Sequence, residues 1–223
     1  MILSMFHVSN PSQIYKYWLS GALNYLFKKY SNCIDANKYL EYLEELAKLF
    51  FRNRYLAVEP QEFEEIIFNN FDIECKNLNE IEIYKLNQGT AVEHFIFNYL
   101  DYLLWKNKDK YKEEKQYDFN YFSFSFSNSV EHFYPQNPIE GHKKIENLDI
   151  LNNFGNLCLI SVSKNAELNN RPPKFKKAYY PNNQYDSLKQ HFMMEKADEW
   201  NEKTIMEHYK EMLKILNLKE ISQ

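Results

Sequence analysis

The hydrophobic period changes partway along this chain, and no all-helical or all-strand fold accommodates both parts. Up to Leu104, apolar residues recur at helical spacing: Ile14, Trp18, Ala22 and Tyr25, then Tyr39, Leu43, Leu46 and Phe50, then Val92, Phe95, Ile96, Tyr99, Leu100, Leu103 and Leu104. That spacing lines one face of a helix. Phe122, Phe124 and Phe126 then alternate with Ser123, Ser125 and Ser127, a period of two that predicts a strand. Helical patterning returns over 188–195 and 204–216. The chain reads as mainly α with a small β element, an α+β fold.

Local signals place the pieces. Asn10-Pro11 is a helix start, with Asn10 as cap and Pro11 in the first turn. Asp35 caps a second helix, and Glu59-Pro60 opens a short third one with Phe63, Ile66 and Ile67 inward. Ile81 and Ile83 suit a short strand or a helix equally. Gly89-Thr90 begins the longest apolar stripe. The charged run 106–118 is a solvated connector. It divides the chain into a helical bundle or connecting region, 1–106, and a second domain, 107–223. In the second, strands at about 122–134 and 156–162 form a hairpin, and a helix runs from Ser163 until Pro172-Pro173 stops it.

Composition narrows the classes. With 223 residues and 17% aromatics the chain buries a sizeable core and is not disordered. A net charge of -4 provides no global field for nucleic acid, so phosphate contact must come from a local patch. Cys33, Cys75 and Cys158 are odd in number and widely spaced. They form neither a disulfide framework nor a zinc knuckle, which fits a reducing cytoplasm. No apolar run reaches the length of a membrane span, and Met1–Phe6 is too short for a signal peptide. Ile2-Leu3-Ser4-Met5-Phe6 reads as the interior of a buried element, so the chain is expected to be the C-terminal part of something longer.

Residues suited to chemistry gather between Val130 and Lys177. Val-Glu-His-Phe occurs twice, at 92–95 and 130–133. The first copy lies in the helical stripe, where His94 has a packing or surface role. The second is extended and ends at Pro135. Gly155-Asn156 and Asn165 follow it. Neutral imidazole suits proton removal from water near pH 7. Carboxylate and amide oxygens suit a hard divalent ion, which neutralises charge on a reacting phosphate. Glu131, His132 and Asn165 supply these capacities, and Asn156 is placed to bond backbone across the loop and hold His132 in orientation. Lys164, Arg171, Lys174, Lys176 and Lys177 crowd a stretch with one acid, Glu167. They make a candidate phosphate-binding patch; the same run also suits a solvated helix face.

These residues carry a resemblance. Glu131-His132-Phe133-Tyr134-Pro135, then Gly155-Asn156-Leu157-Cys158-Leu159-Ile160, then Asn165-Ala166-Glu167-Leu168-Asn169-Asn170 with a Pro/Phe/Lys segment after it, resemble the HNH (His-Me finger, ββα-metal) nuclease domain. More narrowly they are similar to the C-terminal domain of GmrSD-type modification-dependent restriction proteins. Trp200 and Ile205 resemble that family's closing Trp-x-x-x-x-Ile segment. The resemblance covers roughly 90–217.

The resemblance implies a small ββα-metal motif in a mainly α chain and a metal-dependent DNA endonuclease of a bacterial restriction-modification, anti-phage system. It implies His132 as general base, Asn156 as the residue orienting the loop, and Glu131 and Asn165 as metal ligands. Asn165 stands where many HNH enzymes have His, which favours Mg2+ or Mn2+ over Zn2+. It also implies DNA, possibly modified, as substrate. The family's nucleotide-dependent ParB-like domain, with its Asp-Gly-Gln-Gln-Arg-type motif, has no counterpart in these residues, so that domain or a partner chain is expected to supply recognition. The alternative is a non-catalytic DNA-binding or protein-interaction module that retains the fold.

Overall fold

The computed structural model describes residues 1–9, 16–30, 33–69, 79–111, 119, 122–126, 129–180 and 185–219. The helix start at Asn10-Pro11 lies outside them, as does Cys75. The described residues are mostly helical, with one two-stranded sheet. The chain forms two compact units, Met1–Lys85 and Leu86–Gln223. The division falls before the helix with the longest apolar stripe, not in the charged run after it, because that helix packs on elements of the second unit.

The first unit holds α1 (Ile2–Ser9), α2 (Tyr17–Lys29), α3 (Ala36–Leu49) and α4 (Phe63–Asn69). Asp35 caps α3, its Oδ1 accepting from the N–H of Asn37 at 2.8 Å and of Lys38 at 3.0 Å. These bonds satisfy donors that a helix start otherwise leaves open. α3 continues into a π-helical stretch, Phe50–Leu56. Phe6 stacks on Trp18 with ring centroids 5.5 Å apart and meets Phe50 edge-on at 6.1 Å. Ile81 forms an isolated antiparallel bridge with Ala57, and Ile83–Asn87 is a 3-10 turn.

The second unit is built on α5 (His94–Lys106). α5 starts later than the Gly89-Thr90 signal, because Gly89–Ala91 is a 3-10 turn and Val92 and Glu93 are extended. Gly89 has φ +58, and a Cβ there would lie 2.8 Å from Asn152 Oδ1. A left-handed residue crowded by a side chain suits glycine alone and does not begin a helix. α5 is buried almost all round, Asn98 and Asp101 included.

β1 (Ser129–His132) pairs antiparallel with β2 (Leu157–Ile160), placing Glu131 opposite Cys158 and His132 opposite Leu157. Of the hairpin expected from 122–134 and 156–162, Ser129–His132 and Leu157–Ile160 form the pair, whereas 122–126 has no regular structure and residues 127–128 lie outside the described ones. Alternation makes a strand only where a partner edge takes up the backbone hydrogen bonds, and among the described residues β2 pairs with Ser129–His132 alone. α6 (Leu148–Leu151) lies in the long connection between the strands. α7 (Val162–Leu168), α8 (Pro173–Tyr179), α9 (Leu188–Glu195) and α10 (Glu202–Ile215) follow β2. Pro173 starts α8 rather than only ending α7, since a first-turn proline gives up an N–H with no helical partner. Among the described residues no helix is long and apolar enough to cross a membrane.

A buried lysine ties α9 to the turn that precedes β2. Lys189 donates its backbone N–H to Asp101 Oδ1 at 2.8 Å and its ammonium to the carbonyls of Phe154, at 2.8 Å, and of Leu157. Burial pushes Lys189 down to about 7 and Asp101 up to about 7, so each lies far from its ordinary value. α10 closes the same turn: a Cβ on Gly155 would lie 2.2 Å from the Ile205 carbonyl oxygen and 3.0 Å from Tyr209 Cβ. Gly155→Ala is therefore expected to cost at least about 2 kcal/mol, since backbone of α10 must shift. Urea denaturation checks it; a loss under about 0.5 kcal/mol would show the approach to be slack.

Candidate active site around His132

β1 delivers the site, and its alternation sorts the side chains. Ser129 and Glu131 leave one face of the strand, Val130 and His132 the other. Adjacent Glu131 and His132 therefore do not project side by side. No hydrogen bond joins the His132 ring to Glu131, Asn156 or Asn165 among the described residues.

His132 ends β1 with its ring buried. Its Nε2 lies 2.9 Å from Asn152 Oδ1. An amide oxygen only accepts, so Nε2 carries the proton as the amide is placed, and Nδ1 is the basic nitrogen. Burial pushes the ring below the ordinary histidine value, with the Asn152 bond and Glu131 opposing and Lys176 adding to the shift. Asn152 also accepts from the Gly89 N–H through its carbonyl at 3.1 Å. The turn at Gly89 thus helps hold the residue that orients the imidazole.

Asn156 is fully buried and joins three segments. Its Oδ1 accepts from the Tyr134 N–H at 2.8 Å and from Trp200 Nε1 at 3.2 Å. Its Nδ2 donates to the carbonyls of Tyr134 at 3.1 Å and Leu151 at 2.9 Å. The backbone of Asn156 accepts from the Phe133 N–H at 2.7 Å. Together these bonds pin the chain where it leaves β1, immediately after His132. Trp200 meets Phe133 edge-on at 4.9 Å and His208 at 5.5 Å. Burial drives His208 down to about 3, so it packs there as a neutral ring.

On the opposite face, Asn165 from α7 donates through Nδ2 to Ser129 Oγ at 2.6 Å. Its Oδ1 accepts no hydrogen bond among the described residues. Glu131 meets Lys176 of α8, with Oε1 and Nζ 3.0 Å apart. The same ammonium donates to the His132 carbonyl at 2.7 Å. Among the described residues no three His, Cys, Asp or Glu side chains gather as a metal cluster. Ser129 and Glu131 nevertheless leave one face of β1, and Asn165 reaches that face from α7 through its Nδ2. An oxygen-only set with a single carboxylate fits Mg2+ or Mn2+, which retain water and take further oxygens from substrate phosphate. It does not fit a closed zinc site.

The basic residues separate into two groups. Lys176, expected at a phosphate-binding surface, is 1% exposed. Lys164 pairs with Asp186 at 2.8 Å and lies over the Tyr180 ring at 4.5 Å. Arg171 and Lys174 are exposed and Lys177 is half-buried. Lys174 makes a loose surface pair with Asp198 at 3.5 Å, of little energetic consequence. The sequence reading missed Asn152, Ser129, Lys189 and the bond from Trp200 to Asn156. Asn152-Asn153 before Phe154-Gly155 was a visible polar pair, but nothing local marked its partner.

Comparison with curated proteins finds no match, and comparison with solved structures finds none either. Comparison with protein-family models gives one match, and it spans every residue placed around His132: residues 69–215, most of the chain, fit the C-terminal domain of GmrSD restriction endonucleases. The chain therefore belongs to that family of restriction endonuclease domains.

Proposed function

We propose that this chain is a metal-dependent DNA endonuclease of the HNH type, with His132 as general base. The observation that carries the reading is the hold of Asn152 on His132 Nε2, which leaves Nδ1 free to take a proton from water. Asn156 fixes the backbone beside it through Tyr134. Glu131 and Asn165 would hold Mg2+ or Mn2+. When bound, the ion neutralises charge on the scissile phosphate and the leaving oxygen. Arg171, Lys174 and Lys177 contact backbone phosphates, which carry no base identity, so cleavage is largely independent of sequence. Selection of modified DNA then falls to a nucleotide-dependent ParB-like domain or partner chain. The setting that fits is a cytoplasmic bacterial anti-phage system.

Incubation of the purified protein with supercoiled plasmid tests this. Nicked or linear product is expected with Mg2+ or Mn2+, and none with EDTA. DNA binding without metal-dependent cleavage, on unmodified and base-modified DNA alike, would assign the chain to the non-catalytic module instead.

A further inference from the structure

Lys176 lies in a run of cations that looks solvated, yet it is one of the most buried side chains in the second unit, at 1% exposed. Its ammonium spans 3.0 Å to Glu131 Oε1 and 2.7 Å to the His132 carbonyl oxygen. Glu131 is the anionic group of the face it shares with Ser129, and Asn165 and Ser129, bonded to each other there, are neutral. One carboxylate and one ammonium therefore balance the charge of this face. A divalent ion on Glu131 would sit beside the ammonium, and like charges so close in a poorly hydrated site repel strongly. The ammonium and a divalent ion therefore compete for the one carboxylate.

We infer that Lys176 is an internal counter-cation that a divalent metal must displace from Glu131. The inference rests on the reading of Glu131 as a metal ligand. α8 is a short surface helix whose Lys174, Phe175 and Ala178 are exposed, and a lysine arm of four methylenes swings its ammonium outward while its stem stays packed. The released ammonium joins Lys174 and Lys177 of the same helix, where phosphates would lie. Its departure also removes a bond to the His132 carbonyl, so metal entry is felt at the residue bearing the base. Lys176 thus belongs to the metal site in the resting protein and to the DNA surface in the loaded one.

Lysine acylation of the wild-type protein, read by mass spectrometry with and without saturating Mn2+, tests this directly. Lys176 is expected to be protected without metal and at least about tenfold more reactive with it, while Lys174 and Lys177 change little. Mn2+ titration by calorimetry supplies the second readout: Lys176→Met is expected to bind at least about tenfold more tightly than wild type, and Glu131→Gln more weakly. If Glu131→Gln weakens Mn2+ binding but Lys176 stays protected at saturation, displacement is overturned while the ligand assignment stands. If Glu131→Gln binds Mn2+ as wild type does, the ligand assignment fails and displacement with it. The acylation arm uses the unaltered chain, so it decides the matter even if Lys176→Met does not fold.

Discussion

His132→Ala is expected to lower metal-dependent plasmid cleavage by about 10²–10⁴-fold, the usual contribution of a positioned general base. The imidazole is held at Nε2 by Asn152 Oδ1, 2.9 Å away, and Nδ1 is the nitrogen left to act. Alanine removes the base while leaving β1 and its pairing with β2 in place, so DNA binding should survive. Asn152→Ala separates orientation from chemistry. It keeps the imidazole but frees the ring and the tautomer, and about 10–100-fold of the rate should go, the usual effect of removing a residue that orients a catalytic or ligating histidine. Cleavage of supercoiled plasmid under single-turnover conditions measures both variants. Activity of His132→Ala within a few-fold of wild type would place the base elsewhere.

Asn156→Ala should be the most damaging single substitution for stability in the second unit. It removes four hydrogen bonds at once and strands the Tyr134 N–H and carbonyl, the Leu151 carbonyl and Trp200 Nε1. A buried polar group left unpaired costs about 1–3 kcal/mol. The losses are not additive, because the loop relaxes around the gap, so a total of about 3–5 kcal/mol is expected. That is a large share of the about 5–15 kcal/mol that stabilises a typical domain. Urea denaturation followed by tryptophan fluorescence measures it, with Trp200 as a reporter beside the site. Asn156→Asp is the second variant: it keeps the acceptor for Tyr134 and Trp200 but sets a buried carboxylate oxygen against the Tyr134 and Leu151 carbonyls, and near pH 7 should cost at least as much as alanine. A loss under about 1 kcal/mol for alanine would mean that water or backbone adjustment replaces the amide.

The candidate site was legible as a set of residue types in chain order. Glu131-His132, Gly155-Asn156 and Asn165 stood out because carboxylate, imidazole and amide in that order suit phosphodiester chemistry, and the family match spans them all. Which of them meet was not legible. Strand alternation sends Glu131 and His132 to opposite faces, and only pairing with β2 made Ser129–His132 a strand at all. Asn152 is twenty positions from His132, and its role depends on the connection between the strands folding back.

The sequence by itself determined what short-range physics decides. Asp35 caps α3 because a carboxylate two and three residues ahead of open N–H groups has its partners already in reach. The stripe from Phe95 to Leu104 makes a helix wherever its core lies, and the run over 204–216 does the same. The tertiary structure decided whatever needs a distant partner. Phe122 to Phe126 alternates as a strand should, yet takes no regular structure, since β2 pairs with a later segment. The two compact units divide between Lys85 and Leu86, because α5 packs forward onto α9 and α10; of the charged run 106–118, residues 112–118 lie outside the described ones. Lys176 looks like its neighbours Lys174 and Lys177 in the sequence. A carboxylate forty-five residues earlier draws its ammonium inward, and no local pattern encodes a charge balance that exists only once β1 and α8 have met.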